Sequence, residues 1–253
     1  MKKFRADLHV HTVLSPCAEV EMIPPLIVQT ALELNIDLIA ITDHNASANV
    51  SAVQKAAAGS GLKVIPGMEV QTREDVHLLC LFENLNELEN WQTAVNESLP
   101  DTLNRAEFFG EQYIVDEQGE YIQTETRMLL TSTHFSIDDV FEQVNALGGL
   151  VIPAHVERKT YGLFPTLGLL SENWPILAFE ISRHTSPAKA RAAFPAIGNY
   201  PLIQSGDVHR LDEFIGSTIF LLEEPTVNEI RKALKNEDHR EVYIENMPDK
   251  LHP

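Results

Sequence analysis

Six short clusters of histidine and carboxylate punctuate this chain, and each lies beside an apolar run. They are Asp7-Leu8-His9-Val10-His11, Thr42-Asp43-His44-Asn45, Gly67-Met68-Glu69, Asp75-Val76-His77, Pro153-Ala154-His155 and Gly206-Asp207-Val208-His209. Imidazole nitrogens and carboxylate oxygens are the donors of a hydrolytic metal site. On a strand, residues i and i+2 share a face, so His9 and His11 form a chelating pair, and Asp207 and His209 repeat the spacing. Asp7, two residues before His9, is placed to orient an imidazole. His44 follows the run Leu38–Thr42, and Glu69 follows Lys63–Gly67, where a carboxylate could bridge two metals. His155 closes Leu150–Ala154. Taken singly, each also fits a capping or surface polar residue. Together they mark the strand ends where α/β barrels carry chemistry. His77 opens its apolar strand instead of closing it, so a satisfied core histidine is an alternative reading there.

Such a set works only if the elements between its members bring them together. The pattern alternates. Strands are predicted at Phe4–Val10, Leu38–Thr42, Leu62–Pro66, Val76–Phe82, Leu150–Pro153, Leu177–Ile181, Pro201–Gln204 and Thr218–Leu221, several of them continuous apolar runs of the kind buried in parallel sheets. Helices are predicted at Pro24–Leu34, Val50–Ala58 and Leu85–Leu99, then after Ser136-Ile137-Asp138-Asp139 and after Thr226-Val227-Asn228-Glu229, both with capping-box spacing. From about residue 100 to 133 the rhythm breaks. Gln112–Val115 and Glu120–Gln123 flank Asp116-Glu117-Gln118-Gly119, which predicts a small hairpin inserted on the main body. The rest reads as an α/β barrel-like domain over residues 1–253.

Composition bounds the class. The chain has 253 residues, 44% hydrophobic, enough for a sizeable core. With 19 basic and 37 acidic residues the net charge is −18. That field disfavours long nucleic acid, and no basic run marks a patch for it. The two cysteines, Cys17 and Cys80, make no disulfide framework, and Cys80 reads as a small buried hydrophobe. With no membrane span and no leader in view, the expectation is a cytoplasmic protein.

In order along almost the whole chain, Asp7-Leu8-His9-Val10-His11-Thr12, Ile41-Thr42-Asp43-His44-Asn45, Gly67-Met68-Glu69, Val76-His77-Leu78-Leu79, Ala154-His155 and Gly206-Asp207-Val208-His209 resemble the PHP (polymerase and histidinol phosphatase) family. The resemblance implies a distorted seven-stranded β/α barrel that binds up to three Zn, Mn or Fe ions and hydrolyses phosphoesters. It implies that His9, His11, Glu69 and Asp207 hold one metal, that Glu69, His77 and His155 hold a second, and that His44 and His209 hold a third. Three motifs depart from the family's pattern. Ser15-Pro16-Cys17 stands where many members have Ser-Asp-Gly, Ala154-His155-Val156 stands for Ala-His-Pro, and Gly206-Asp207-Val208-His209 stands for Ser-Asp-Ala-His. The last two keep the ligand atoms. In relatives a third-metal ligand comes from the first loop. Cys17 could supply a thiolate there, which suits Zn; a loop thiol without metal is the alternative.

A phosphoester also needs cationic donors. Arg158 and Lys159, Arg183 and His184, and Arg210 all follow strand ends, with Arg158 and Arg183 favoured. His134 could reach the mouth or cap the following helix, and His239 and His252 sit in polar sequence away from the pattern. The expected chemistry is hydrolysis by water activated at two or three divalent ions, with Asp207 or His209 moving the proton to the leaving oxygen. The expected substrate is a small phosphomonoester or nucleotide. The alternatives are an exonuclease on short single-stranded oligonucleotides and a metal-binding module without turnover. Amide hydrolysis on such a barrel is less attractive without a bridging lysine at a strand end.

Overall fold

The apolar runs become strands covered on both faces. The computed structural model describes residues 1–245, so His252 lies outside the described residues. In chain order it contains β1 (Lys2–Val10), α1 (Pro24–Glu33), β2 (Leu38–Ile41), α2 (Val50–Ala56), β3 (Lys63–Gln71), β4 (His77–Leu81), α3 (Leu85–Ser98), α4 (Ala106–Phe109), β5 (Tyr113–Val115), β6 (Tyr121–Thr124), α5 (Ile137–Ala146), β7 (Leu150–Pro153), α6 (Leu163–Leu167), β8 (Phe179–Ser182), α7 (Pro187–Ala193), β9 (Leu202–Ser205), β10 (Thr218–Leu222), α8 (Val227–Leu234) and β11 (Glu241–Ile244). No helix among the described residues is long and apolar enough to cross a membrane.

The α/β class matches the sequence reading, but the strands do not form one parallel ladder. Seven make a mixed sheet in the order β11-β10-β1-β2-β3-β4-β7. Strands β1, β2 and β3 are parallel, whereas β4 runs antiparallel to both β3 and β7. The connection Thr72–Val76 explains the reversal. A parallel crossover needs about a dozen residues or more. Strands β8 and β9 form a separate parallel pair. It meets the main sheet near the strand ends, where His11 N donates to Val208 O at 2.9 Å and Val156 N donates to Glu180 O at 2.9 Å.

Alternation along the strands divides the core in two. Ala6, Leu8, Leu38, Ala40, Ile65, Leu79, Leu81, Leu150, Ile152, Ile203 and Phe220 form one buried layer, joined by Val227 and Ile230 of α8. A flat sheet could not bring β7 and β10 into one cluster, so the sheet curls around this layer. The opposite face carries Ile39, Ile41, Val64, Leu78, Cys80 and Val151 against Ile27, Val53, Trp91 and Phe141 of the helices.

A register shift in the β1–β2 pairing, between Asp7 and Val10, changes the parity of β1. Ala6 and Leu8 lie in the inner layer, whereas Val10 lies in the outer one. The bulge therefore turns His9 and His11 inward, away from the side that Asp7 takes.

Local signals placed the helix starts. The box at Ser136 is complete: Ser136 Oγ accepts from Asp139 N at 3.1 Å and Asp139 Oδ2 accepts from Ser136 N at 2.8 Å. At α8, Thr226 Oγ1 accepts from Glu229 N at 3.2 Å, but the Glu229 carboxylate does not return to the cap. It takes Glu223 N at 3.1 Å and Arg240 Nε at 2.9 Å instead. The predicted hairpin forms as β5 and β6, with Gly119 N donating to Asp116 O at 3.0 Å across its turn.

Candidate metal centre

Glu69 is the hub of the site. It lies within β3, 1% exposed, with imidazoles around both oxygens. Oε1 is 2.8 Å from His77 Nδ1 and 3.2 Å from both His9 Nε2 and His155 Nε2. Oε2 is 2.8 Å from His44 Nδ1 and 3.5 Å from His11 Nε2. Asp207 Oδ1 lies 3.4 Å from His9 Nε2, from His11 Nε2 and from His209 Nδ1. The rings of His11 and His209 stack at 4.0 Å between centroids. The structure thus gathers the six predicted histidines and both carboxylates in one place. Antiparallel β4 brings its first residue to the rim, which is how His77, at a strand start, joins ligands from strand ends.

Local backbone geometry sets the aim of these groups. His155 and Asp207 both sit in the left-handed region, at φ 28° and 49°. Such strain clusters at functional sites. At Gly206 a Cβ would come within 2.4 Å of Glu213 O, so only glycine lets this loop close behind Asp207. Ser15 Oγ bonds His11 Nδ1 at 2.9 Å and donates to Asp43 Oδ1 at 2.7 Å, which directs His11 Nε2 into the cluster.

Asp7 does not orient an imidazole as the sequence suggested. Its carboxylate accepts from Gly206 N at 2.9 Å and Ile215 N at 3.1 Å, because the bulge separates it from His9. The role falls to Glu180 of β8. Its Oε2 lies 2.9 Å from His9 Nδ1 and accepts from His155 N at 3.0 Å. Sequence reasoning passed over Glu180, although a charged residue inside the run Leu177–Ile181 was a signal. Such a side chain is rarely buried without a partner.

The buried donors fit cations. Of the atoms that face the cluster, His9 Nε2, His11 Nε2 and Glu69 Oε2 are buried without a hydrogen-bond partner. Buried polar atoms are seldom left so. Three sets could each hold an ion, their donor atoms within 4.8 Å of one another: His9, His11 and Glu69; His44, Glu69 and His77; and His11, His44 and His209.

Electrostatics agree. Burial disfavours ionised Glu69, but His77, His9 and His44 outweigh it and hold the carboxyl well below its usual range. Burial also opposes ionised Asp207, and His9 with His11 reverses it. Burial opposes charge on His9, yet Glu180, Glu69 and Asp207 raise its pKa. Burial brings His77 down to about 4. Cys17 is exposed as a residue, but its thiol faces His44 and His209. Burial would raise that thiol; the two histidines prevail and bring it down to about 6.

A cavity of about 540 Å³ opens over the cluster, lined by Cys17, Arg158, Arg183 and His184 together with His44, Glu69, His155 and Asp207. Of the predicted phosphate donors, Arg158 reaches Asp207 Oδ2. Arg183 holds Gly206 O and, at 2.7 Å, Glu213 Oε1, which braces the Asp207 loop. Arg210 and Lys159 do not line this cavity. Arg210 turns instead to Glu213, at 3.0 Å, and to Asp212. Glu213, itself on the cavity wall, also accepts from His209 N and Arg210 N and so holds the backbone of that turn. His134 lies apart, beside Ser98 and Asp139, and His239 is exposed elsewhere.

Comparison with known proteins points the same way. Residues 7–146 match the model of the PHP domain family. An 80-residue stretch is 34% identical to the 5′-3′ exoribonuclease Rnm of Salmonella typhimurium, over 30% of this chain and 26% of that protein. The lesion-specific endonuclease EndoQ of Pyrococcus furiosus superposes with a TM-score of 0.72 at 19% identity, over 95% of this chain and 58% of that one. A Bifidobacterium adolescentis protein assigned provisionally to the metal-dependent phosphoesterases gives 0.53 at 19% identity, over 92% of this chain and 96% of that one. The chain spans well under two thirds of the exoribonuclease and of the endonuclease.

Proposed function

The chain belongs to the PHP domain family, and from that premise we propose that it is a metal-dependent phosphoesterase acting on nucleotides or other small phosphomonoesters. The observation that carries this reading is one buried carboxylate, Glu69, with five imidazole nitrogens within 3.5 Å. His9, His11, Glu69 and Asp207 would hold one divalent ion, Glu69, His77 and His155 a second, and His44 and His209, with the Cys17 thiolate, a third. Mixed nitrogen and oxygen donors suit Zn, Mn or Fe. When bound, such ions lower the pKa of a water toward neutrality and offset charge on the phosphoryl oxygens.

The chain's own groups do the rest. Glu180 fixes the tautomer of His9 by accepting from its Nδ1, which leaves Nε2 as the ligand atom. Arg158 and His184 face the cavity as phosphate donors, and Arg183 holds the Asp207 loop in place. His209 Nδ1 lies 3.0 Å from Asp207 O, which leaves Nε2 as the atom it would offer to the third ion.

A second reading is an exonuclease trimming short single strands, favoured by the 80-residue likeness to an exoribonuclease. The deciding assay gives purified protein Mn²⁺ or Zn²⁺ and a panel of phosphomonoesters, cyclic nucleotides, 5′-phosphorylated single strands and duplexes. Turnover of monoesters alone supports the first reading, and release of mononucleotides from single strands supports the second. Full metal loading without turnover would leave a binding module.

A further inference from the structure

The site carries an aromatic surface that phosphate chemistry alone does not require. Phe109 ends α4 and lines the same cavity as His44, Glu69 and Asp207. It is 37% exposed. Its neighbour Phe108 is 69% exposed, but the Arg105 guanidinium lies 4.3 Å from the Phe108 ring centre. Among the described residues no ring or guanidinium covers Phe109. Its backbone is fixed: Phe109 N donates to Arg105 O at 3.0 Å, and Asn104 Nδ2 donates to Gly110 O at 2.9 Å. Gly110, at φ +96°, presses against the loop before Cys17, where a Cβ would stand 2.0 Å from Pro16 O. A larger residue would push the segment off the rim. The ring is thus held over the cavity mouth by glycine-only packing.

We infer that Phe109 is a stacking platform for the nucleobase next to the scissile phosphate, and so determines specificity for nucleotide over base-free phosphoesters. This deepens the phosphoesterase reading and rests on it. Tyr161, the other ring of the lining, is already stacked on His77 at 4.3 Å, so the open flat face beside this metal-ligating cavity is Phe109. The pairing matches a ligand that is a planar ring at one end and a phosphate at the other. The polar lining by Gln71, Ser182 and His184 suits the heteroatom edge of a base better than an acyl chain. Stacking tolerates any base, because every base has a π-face.

The test compares two 5′-phosphorylated trinucleotides, one with a base on its first residue and one abasic there, using Mn²⁺-loaded protein. The wild type prefers the base-bearing substrate in kcat/KM by roughly 5- to 140-fold, the range that one stacked base supplies. Phe109→Ala brings that ratio toward one, Phe109→Trp preserves it, and Phe108→Ala leaves it unchanged. A wild-type ratio near one overturns the inference, and so does an equal loss on both substrates in Phe109→Ala. A binding measurement in EDTA separates the platform from catalysis. Fluorescence of 2-aminopurine at the first position falls on binding to the wild type and less so with Phe109→Ala. If quenching occurs without turnover of any ester, the platform stands and the phosphoesterase reading fails. If turnover occurs without base preference or quenching, the platform fails alone.

Discussion

At the scale of single residues, the gathering of six histidines and two carboxylates was legible because so many of them recur beside apolar runs, although each alone fits a bland role. Its support was not. Asp7 stood at the right spacing to orient His9, yet the bulge in β1 sends it to the backbone of Gly206 and Ile215. A register shift of that kind leaves no mark in residue type. Glu180 takes the role, and it predicts a measurable effect. Glu180→Gln keeps the volume but replaces a carboxylate acceptor by a neutral amide. Metal affinity should fall by about 10- to 100-fold, the usual cost of losing a carboxylate that orients a ligating histidine. Competition with a metallochromic chelator measures this; unchanged affinity would show that the His9–Glu180 contact orients nothing. Arg210 shows the converse limit. Its position after His209 suggested a phosphate donor, but it does not line the cavity and pairs instead with Glu213 and Asp212.

At the scale of elements, strands and caps were readable and strand direction was not. The run Val76–Phe82 reads equally well in either direction. Only the short link Thr72–Val76 shows that β4 must reverse, and the reversal is what carries His77 to Glu69. Caps are local, so they transfer directly from sequence. Ser136→Ala removes the acceptor at the start of α5 and should cost about 0.5–2 kcal/mol in urea unfolding. The start of α8 behaves differently, because Glu229 is held by Arg240 and Lys232 as well as by Glu223 N. Arg240 first among these brings the Glu229 pKa from 4.5 down to about 2. A depressed carboxyl contributes stability that is fully present above its unfolded pKa and is lost as pH falls through the folded one. Between about pH 4.5 and 2, therefore, wild-type stability should decline more steeply than that of Glu229→Gln. Melting temperatures across that interval check it, and parallel curves would contradict it.

At the scale of the molecule, composition set the class, while the closure of the sheet came from tertiary packing. About seven repeats of strand and helix predicted a barrel. The chain instead builds a curled mixed sheet with β8 and β9 as a separate pair, because β4 and β10 run against their neighbours. The net charge of −18 has a kinetic consequence. An acidic field repels an anionic substrate until it reaches the mouth, and salt screens that repulsion with a Debye length near 8 Å at ~0.15 M. Raising ionic strength from ~0.01 to ~0.15 M should raise kcat/KM for a small phosphoester. A protein built to grip duplex DNA would lose affinity over the same range. A steep fall with salt would count against the small-substrate reading.

The most direct test of the account is the equilibrium metal content of the folded protein, read by plasma mass spectrometry after exchange into Mn²⁺ or Zn²⁺ and removal of free ion. Convergence of six histidines on Glu69 and Asp207 predicts at least two ions per chain in the wild type. It predicts the loss of one or more in Glu69→Ala with the fold retained by circular dichroism. Fewer than one ion per wild-type chain, or an undiminished content in Glu69→Ala, would contradict it.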